Sequence, residues 1–349
     1  MKISTWLPTL VSSCMHGVAA IQYAGVNLIG LAADASLLGT AYTSFESTSC
    51  GGKQTNYPYL DPPELYWEWR DLGFNMIRLP VAWGHIQDGL NGPLNQTTLS
   101  ELDNLVNIIT SNGSTVILDI HNYARYYCAV IGQPLLDLPD APQEVTDDNF
   151  TDLWGKLAAH YKDNPNVIFE LMNEPWGLSA FLWADTMKKA IQAILKEAPS
   201  HRILIAGPYA ATVTTWELRS ALALLPLLDT APRGQIIFDL HQYFDILNGG
   251  SADCLEWWLF YLPFEAVTST LRSHNAIAML TEFGGGPNDA CAEIIEKVLE
   301  FFEDNSDVWK GWTAWSNMKG DQAISPNASS QYYKLAGVME KFAPLRVDQ

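Results

Sequence analysis

One plan recurs eight times in this chain: an apolar run of strand length, a polar tip, a loop, then a stretch with helical periodicity. The apolar runs fall at 21–31, 75–80, 115–120, 167–172, 202–207, 235–240, 276–280 and 311–315. Helices read at 97–111, where Leu99, Leu102, Leu105, Val106 and Ile109 share one stripe, and at 150–161, 179–196, 291–302 and 332–341. Asp61-Pro62-Pro63-Glu64 carries the cap, the prolines and the acid of a further helix start. Strands that alternate with helices must run parallel, because each return needs a crossover. Eight such units in 349 residues fit a closed (β/α)8 TIM barrel forming a single domain over 21–349. The alternative, an open doubly wound sheet, lacks its mark: no G-x-G-x-x-G or G-x-x-x-x-G-K-[ST] follows any strand. The Gly/Ser/Thr-rich segment 39–59 reads as a long loop at the barrel mouth.

Chemistry in such a barrel sits at the C-terminal ends of the strands. Here six of the eight runs end in a residue suited to it: Arg78, then His121-Asn122, Asn173-Glu174, His241 with Tyr243, Glu282, and Trp315. Taken singly, each has a plain reading as a helix cap, a satisfied core histidine or packing. Arrayed round one mouth, they converge. Glu174 and Glu282 then face each other from the fourth and seventh strands, as glycoside hydrolysis requires of its proton donor and its ionised partner. Two carboxyl groups at close range cannot comfortably ionise together, so their pKa values are driven apart. Arg78 and Tyr243 are placed to hold Glu282, and Asn173 to bind a sugar hydroxyl. His121, His241 and Trp315 would floor the subsite, with Asn122 beside them. Trp83, Tyr123, Trp176 and Trp216 are candidate stacking faces for sugar rings.

Composition narrows the partners. A net charge of −19 disfavours nucleic acid, which needs Lys and Arg against its phosphates, but not a neutral polysaccharide. No apolar run approaches the ~20 residues that span a membrane. The seven histidines show no H-x-H or H-x-x-x-H spacing and the cysteines no C-x-x-C, so neither a metal nor a cofactor is expected. Residues 1–20 have the make-up of a secretory signal: Lys2, an apolar stretch at 6–15, and Val18-Ala19-Ala20 before the cleavage point. Sequons at Asn95, Asn112, Asn149 and Asn327 agree with secretion. Removal of the leader with Cys14 leaves Cys50, Cys128, Cys254 and Cys291, an even set whose three pairings the spacing does not separate. A monomer is expected.

The segments Arg78-Leu79-Pro80, His121-Asn122-Tyr123-Ala124-Arg125-Tyr126-Tyr127, Asn173-Glu174-Pro175, His241-Gln242-Tyr243, Thr281-Glu282-Phe283-Gly284-Gly285-Gly286 and Trp315 stand in one order along nearly the whole chain. In them the sequence resembles glycoside hydrolase family 5, in its fungal endo-β-1,4-glucanase branch. The resemblance implies a secreted endoglucanase acting on cellulose or β-glucan with retention of configuration, with Glu174 as acid/base and Glu282 as nucleophile. It also implies a Cys254–Cys291 bridge, which leaves Cys50 and Cys128 as the other pair. Two departures loosen the expected glycan preference. Residues 316–320 lack the aromatic side chains of many relatives, and the first loop is long. Mannan, xyloglucan or β-1,3-glucan as substrate, or glycan binding without turnover, are the alternatives.

Overall fold

The computed structural model describes residues 21–28, 64–126, 129–134, 145–245, 252–316, 324, 327 and 330–345. Strands β1 (Tyr23–Leu28), β2 (Met76–Val81), β3 (Thr115–Ile120), β4 (Val167–Glu170), β5 (Ile203–Ala206), β6 (Ile236–Tyr243), β7 (Ile277–Gly284) and β8 (Trp309–Ser316) pair in sequence order, and β8 closes on β1. Every barrel pairing is parallel. The (β/α)8 barrel expected from the alternation is therefore the fold. Among the described residues, the helices of seven residues or more outside it are α1 (Glu64–Asp71), α2 (Gln96–Ser111), α3 (Asp147–Tyr161), α4 (Ala180–Glu197), α5 (Val213–Arg219), α6 (Trp258–Ser273), α7 (Asp289–Asp304) and α8 (Tyr333–Glu340). A small antiparallel hairpin, Arg125–Tyr126 with Ala129–Val130, sits in the loop after β3.

The helices start where their side chains satisfy the free N–H groups of a first turn. Asn95 accepts from Thr98 at the head of α2, and Asn288 from Cys291 at the head of α7. Thr146 and Asn149 form a reciprocal box on α3. Asn149 is buried in that box as the partner of the N-cap Thr146; Asn112 and Asn327 are exposed. The leader, the long first loop, Cys50, Cys128 and residues 317–320 lie outside the described residues. Among the described residues no helix is long and apolar enough to cross a membrane.

Side chains of a strand alternate between barrel interior and helix layer, and the interior is stacked in tiers. The lowest tier is apolar: Met76, Ile117, Ile168, Leu204, Ile237 and Met279 pack on one another. Two residues further along the same strands come Arg78, Asp119, Glu170, Asp239 and Thr281, all fully buried. That polar tier supports the mouth.

Candidate active site

Arg78 organises the polar tier. Its Nε and Nη2 donate to the two oxygens of Glu170 at 2.7 and 2.5 Å. Nη2 also reaches Asp119 Oδ2 at 2.9 Å and Asn173 Oδ1 at 2.8 Å. Nη1 donates to Asn27 Oδ1 at 2.8 Å and Glu282 Oε2 at 3.1 Å. Burial works against the charge of this guanidinium, but Asp119, Glu170 and Glu282 outweigh it and keep the group positive. One fork thus fixes an acid on each of three strands, which a point charge could not do.

Above it, His121 Nδ1 contacts Asp119 Oδ2 at 2.7 Å, and the Asn173 amide meets His121 Nε2 at 3.3 Å. Burial, helped by Arg78, lowers the His121 pKa to about 4. The ring is therefore neutral, with its proton on Nδ1 toward Asp119 and its Nε2 accepting from Asn173. Trp315 lies over His121 with ring centres 5.8 Å apart and planes at 24°.

Glu282 reaches the mouth through an irregularity in the sheet. Leu240 of β6 opposes Leu280 of β7, but His241 opposes Glu282, so Thr281 is an extra residue on β7. A bulge of this kind lets two successive side chains point into the barrel. Thr281 bonds Asp239 and His241 inside it, while Glu282 accepts from Tyr243 Oη at 2.9 Å and from Arg78. Glu174 stands opposite, beyond the end of β4, at a backbone φ of +38° that is uncommon for a non-glycine residue. Its Oε1 lies 3.0 Å from His241 Nδ1. One oxygen of Glu174, one of Glu282 and a His241 nitrogen all lie within 4.8 Å of one another. Burial pushes the Glu174 carboxyl up to about 7, with Glu170 adding and Arg78 opposing. Burial also raises the Tyr243 phenol, and the Glu282 carboxylate raises it further, so it remains a donor.

The sequence-derived candidates Arg78, His121, Asn173, Glu174, His241, Tyr243, Glu282 and Trp315 thus meet at one mouth. Asn122 stands beside them with its side-chain oxygen committed to the Trp83 backbone N–H at 2.6 Å. Two proposed stacking faces do not belong to the cleft. Trp83 and Trp216 are completely buried among core side chains, Trp83 against Phe150 and Trp216 against Phe238. Trp176 is 39% exposed and meets Tyr209 edge-on. The Cys254–Cys291 disulfide is present and ties the loop after β6 to the first turn of α7.

The sequence profile of Cellulase (glycosyl hydrolase family 5) matches residues 41–318. The chain belongs to glycosyl hydrolase family 5. Endoglucanase EG-II of Hypocrea jecorina is 32% identical over 305 residues, 85% of this chain and 70% of that protein. The manganese dependent endoglucanase Eg5A of Phanerodontia chrysosporium is 28% identical over 294 residues, 81% of this chain and 73% of that one. The structure of XacCel5A in complex with cellopentaose superposes with a TM-score of 0.78 at 31% identity, covering 93% of this chain and 99% of that one. The protein is a glycoside hydrolase.

Sequence reasoning missed the acids of the polar tier in this family 5 site: Asp119, Glu170 and Asp239. A signal for two of them exists. Asp119 precedes His121 by two residues, and Asp239 precedes His241 by two, so each pair shares a strand face. Burial raises all three, Asp119 to about 7, with neighbouring carboxylates adding and Arg78 opposing. Among the described residues two sets of three side chains come close enough to share a cation, Glu170 with Asp239 and His241, and Glu174 with His241 and Glu282. Neither donor set suits one, because Arg78 already occupies Glu170 with both arms and also bonds Glu282.

Proposed function

We propose that this protein is a secreted endo-β-1,4-glucanase that cleaves internal bonds of cellulose or soluble β-glucan with retention of configuration. Glu174 protonates the departing sugar oxygen while Glu282 attacks the anomeric carbon. Glu174, then ionised, takes a proton from the water that releases the glycosyl-enzyme. The observation that carries this reading is the approach of the Glu174 and Glu282 oxygens to within 4.8 Å of each other. Double displacement uses carboxyl groups about 5–5.5 Å apart, whereas direct displacement leaves room for water at about 6.5–9.5 Å. The unequal surroundings fit the roles. Glu174 is raised by burial and lies beside a neutral histidine, while Glu282 accepts from two donors, Arg78 and Tyr243. Asn173, turned by Arg78 and His121, is placed to meet the sugar hydroxyl next to the reacting carbon. The glucan preference is carried over from the endoglucanase names of the relatives, and secretion rests on the leader-like make-up of the first 20 residues. The manganese dependence in the name of the Phanerodontia relative is not carried over, because the fixed positive charge of Arg78 opposes a second cation in this tier.

Glu174→Gln and Glu282→Gln test the assignment on carboxymethyl-cellulose, mixed-linkage glucan and mannan in parallel. Each variant should lose about 10²-fold or more in kcat while melting with the wild type, and the first sugar released by the wild type should be the β-anomer by proton NMR. Wild-type rates from either variant, or an α-anomer product, would end the reading. Release of reducing sugar from mannan alone would move the substrate and keep the mechanism.

A further inference from the structure

Beneath Glu174 runs a chain of hydrogen bonds that the double-displacement scheme leaves unused. Glu174 Oε1 is 3.0 Å from His241 Nδ1, and His241 Nε2 is 3.1 Å from Thr281 Oγ1. The Thr281 hydroxyl in turn donates to Asp239 Oδ1. Each member is buried apart from Glu174, which keeps 18% of its side chain exposed at the mouth.

The direction of this chain follows from counting hydrogens. A threonine hydroxyl has one to give. Spent on Asp239, it leaves Thr281 Oγ1 only lone pairs for His241. The hydrogen on that contact therefore belongs to His241 Nε2. A neutral imidazole carries one N–H, so Nδ1 presents a lone pair to Glu174. A hydrogen bond there needs the proton on Glu174. Asp239 keeps this polarity when ionised or when protonated on Oδ2, because Oδ1 then accepts from Thr281; a proton on Oδ1 would reverse the chain and put the His241 hydrogen on Nδ1. We propose that Thr281, seated on Asp239, is a positioning residue that fixes the tautomer of His241 and so holds the acid proton on Glu174 between turnovers. The proposal rests on the assignment of Glu174 as acid/base and adds the device that keeps it loaded.

The surrounding charges leave this polarity in place. Glu282 Oε2 lies 3.9 Å from His241 Nδ1, and Asp239 Oδ1 3.6 Å from Nε2. Arg78 from β2, His121 from β3 and Glu170 from β4 act on the same ring, and Tyr243 on its own strand is committed to Glu282. Burial, with Arg78, holds His241 neutral against Glu282 and Glu170, with a pKa of about 4. An imidazole that stays neutral has to choose a tautomer, and Thr281 makes the choice. The extra residue that the β6–β7 irregularity inserts is Thr281 itself, so the bulge that turns Glu282 to the mouth also sets the hydroxyl under His241.

The test is the alkaline limb of the kcat/KM profile, which reports the acid of the free enzyme. Thr281→Val keeps the side-chain shape and removes the hydroxyl. His241 is then free to put its hydrogen on Nδ1 and donate to the Glu174 carboxylate, which favours the ionised form. The alkaline limb should move to lower pH by about one unit, the size expected for one such hydrogen bond. Thr281→Ser restores the hydroxyl and should keep the wild-type limb. A Thr281→Val limb at the wild-type pH overturns the proposal, as does a Thr281→Ser limb that moves equally far. In the wild type, 15N spectra of labelled histidine, with His241 assigned by its loss in His241→Asn, should show a bare Nδ1 and a protonated Nε2. The reverse pattern overturns the proposal without any Thr281 variant. An inactive Glu174→Gln with an unmoved Thr281→Val limb removes the positioning role alone, whereas an active Glu174→Gln removes the assignment beneath it.

Discussion

Arg78 is the residue on which the most partners depend. It is fully buried and bonds Asn27, Glu170, Asn173 and Glu282 while pairing with Asp119. A buried ion cluster is weak evidence for net stability, but breaking one is costly, because it strands charges with no water to take them. Lysine at this position keeps the charge and loses the planar fork. Its ammonium has three donors on one atom and cannot serve both Glu170 oxygens and Glu282 together. Arg78→Lys should therefore lose on the order of 3 kcal/mol of unfolding free energy, read from urea melts, and should lower kcat as well, because Glu282 and Asn173 lose a common anchor. A variant within about 1 kcal/mol of wild type would show that the acids of this tier do not need the fork.

At the level of elements, the legibility of the chain depended on how clean each pattern was. β3 reads from the sequence to the residue, because Ser114 and His121 bound a largely apolar run in which Asp119 is the one charged residue and points inward. The helices α2, α3, α4 and α7 read to within a few residues, because each buries one stripe and three of the four begin at a side-chain cap. α6 did not read as a helix, because Pro263 lies inside it and Trp258, Tyr261 and Leu262 leave apolar surface on its outer face. α5 and the short turns after it are too brief to show a period. The mouth was legible because polar residues end apolar runs there; the polar tier was not, because a single acid within a strand carries no period of its own. Gly285 shows how a motif letter acquires its reason only in three dimensions. A Cβ there would lie 2.6 Å from Cys254 Sγ and 2.9 Å from Cys291 Sγ, so the chain after Glu282 passes hard against the disulfide. That bond spans 37 residues and anchors α7 beside the mouth. Replacing both cysteines with serine should cost about 2–4 kcal/mol by urea denaturation and should lower kcat in proportion to the lost placement of Glu282. Unchanged melts under reducing and oxidising conditions would count against a structural role for the bridge.

For the whole molecule, the buried acids decide how stability follows pH. Asp119 and Glu174 are raised to about 7, and Glu170 and Asp239 are raised too, in each case by burial first. In the unfolded chain the same groups return to about 4. Over the interval between these values the folded state binds more protons than the unfolded state, so Asp119 and Glu174 each contribute stability that is complete below about pH 4 and is lost as pH rises toward 7, and Glu170 and Asp239 act in the same sense. His121 and His241 act in the opposite sense. Burial lowers both to about 4, so their contribution is complete above the unfolded histidine value of about 6.5 and is lost as pH falls through that interval. Four acids oppose two histidines, so the net slope between pH 4.5 and 6.5 is toward lower stability at higher pH, and above 6.5 the acids act alone. Self-repulsion at a net charge of −19 works in the same direction, because protonation of surface carboxylates relieves it. Melting temperatures from scanning calorimetry in matched ionic strength should therefore fall from pH 5 to pH 8. A melting temperature that rises over that range would mean that the polar tier is ionised in the folded protein, with water or a cation supplying what the protons were taken to supply.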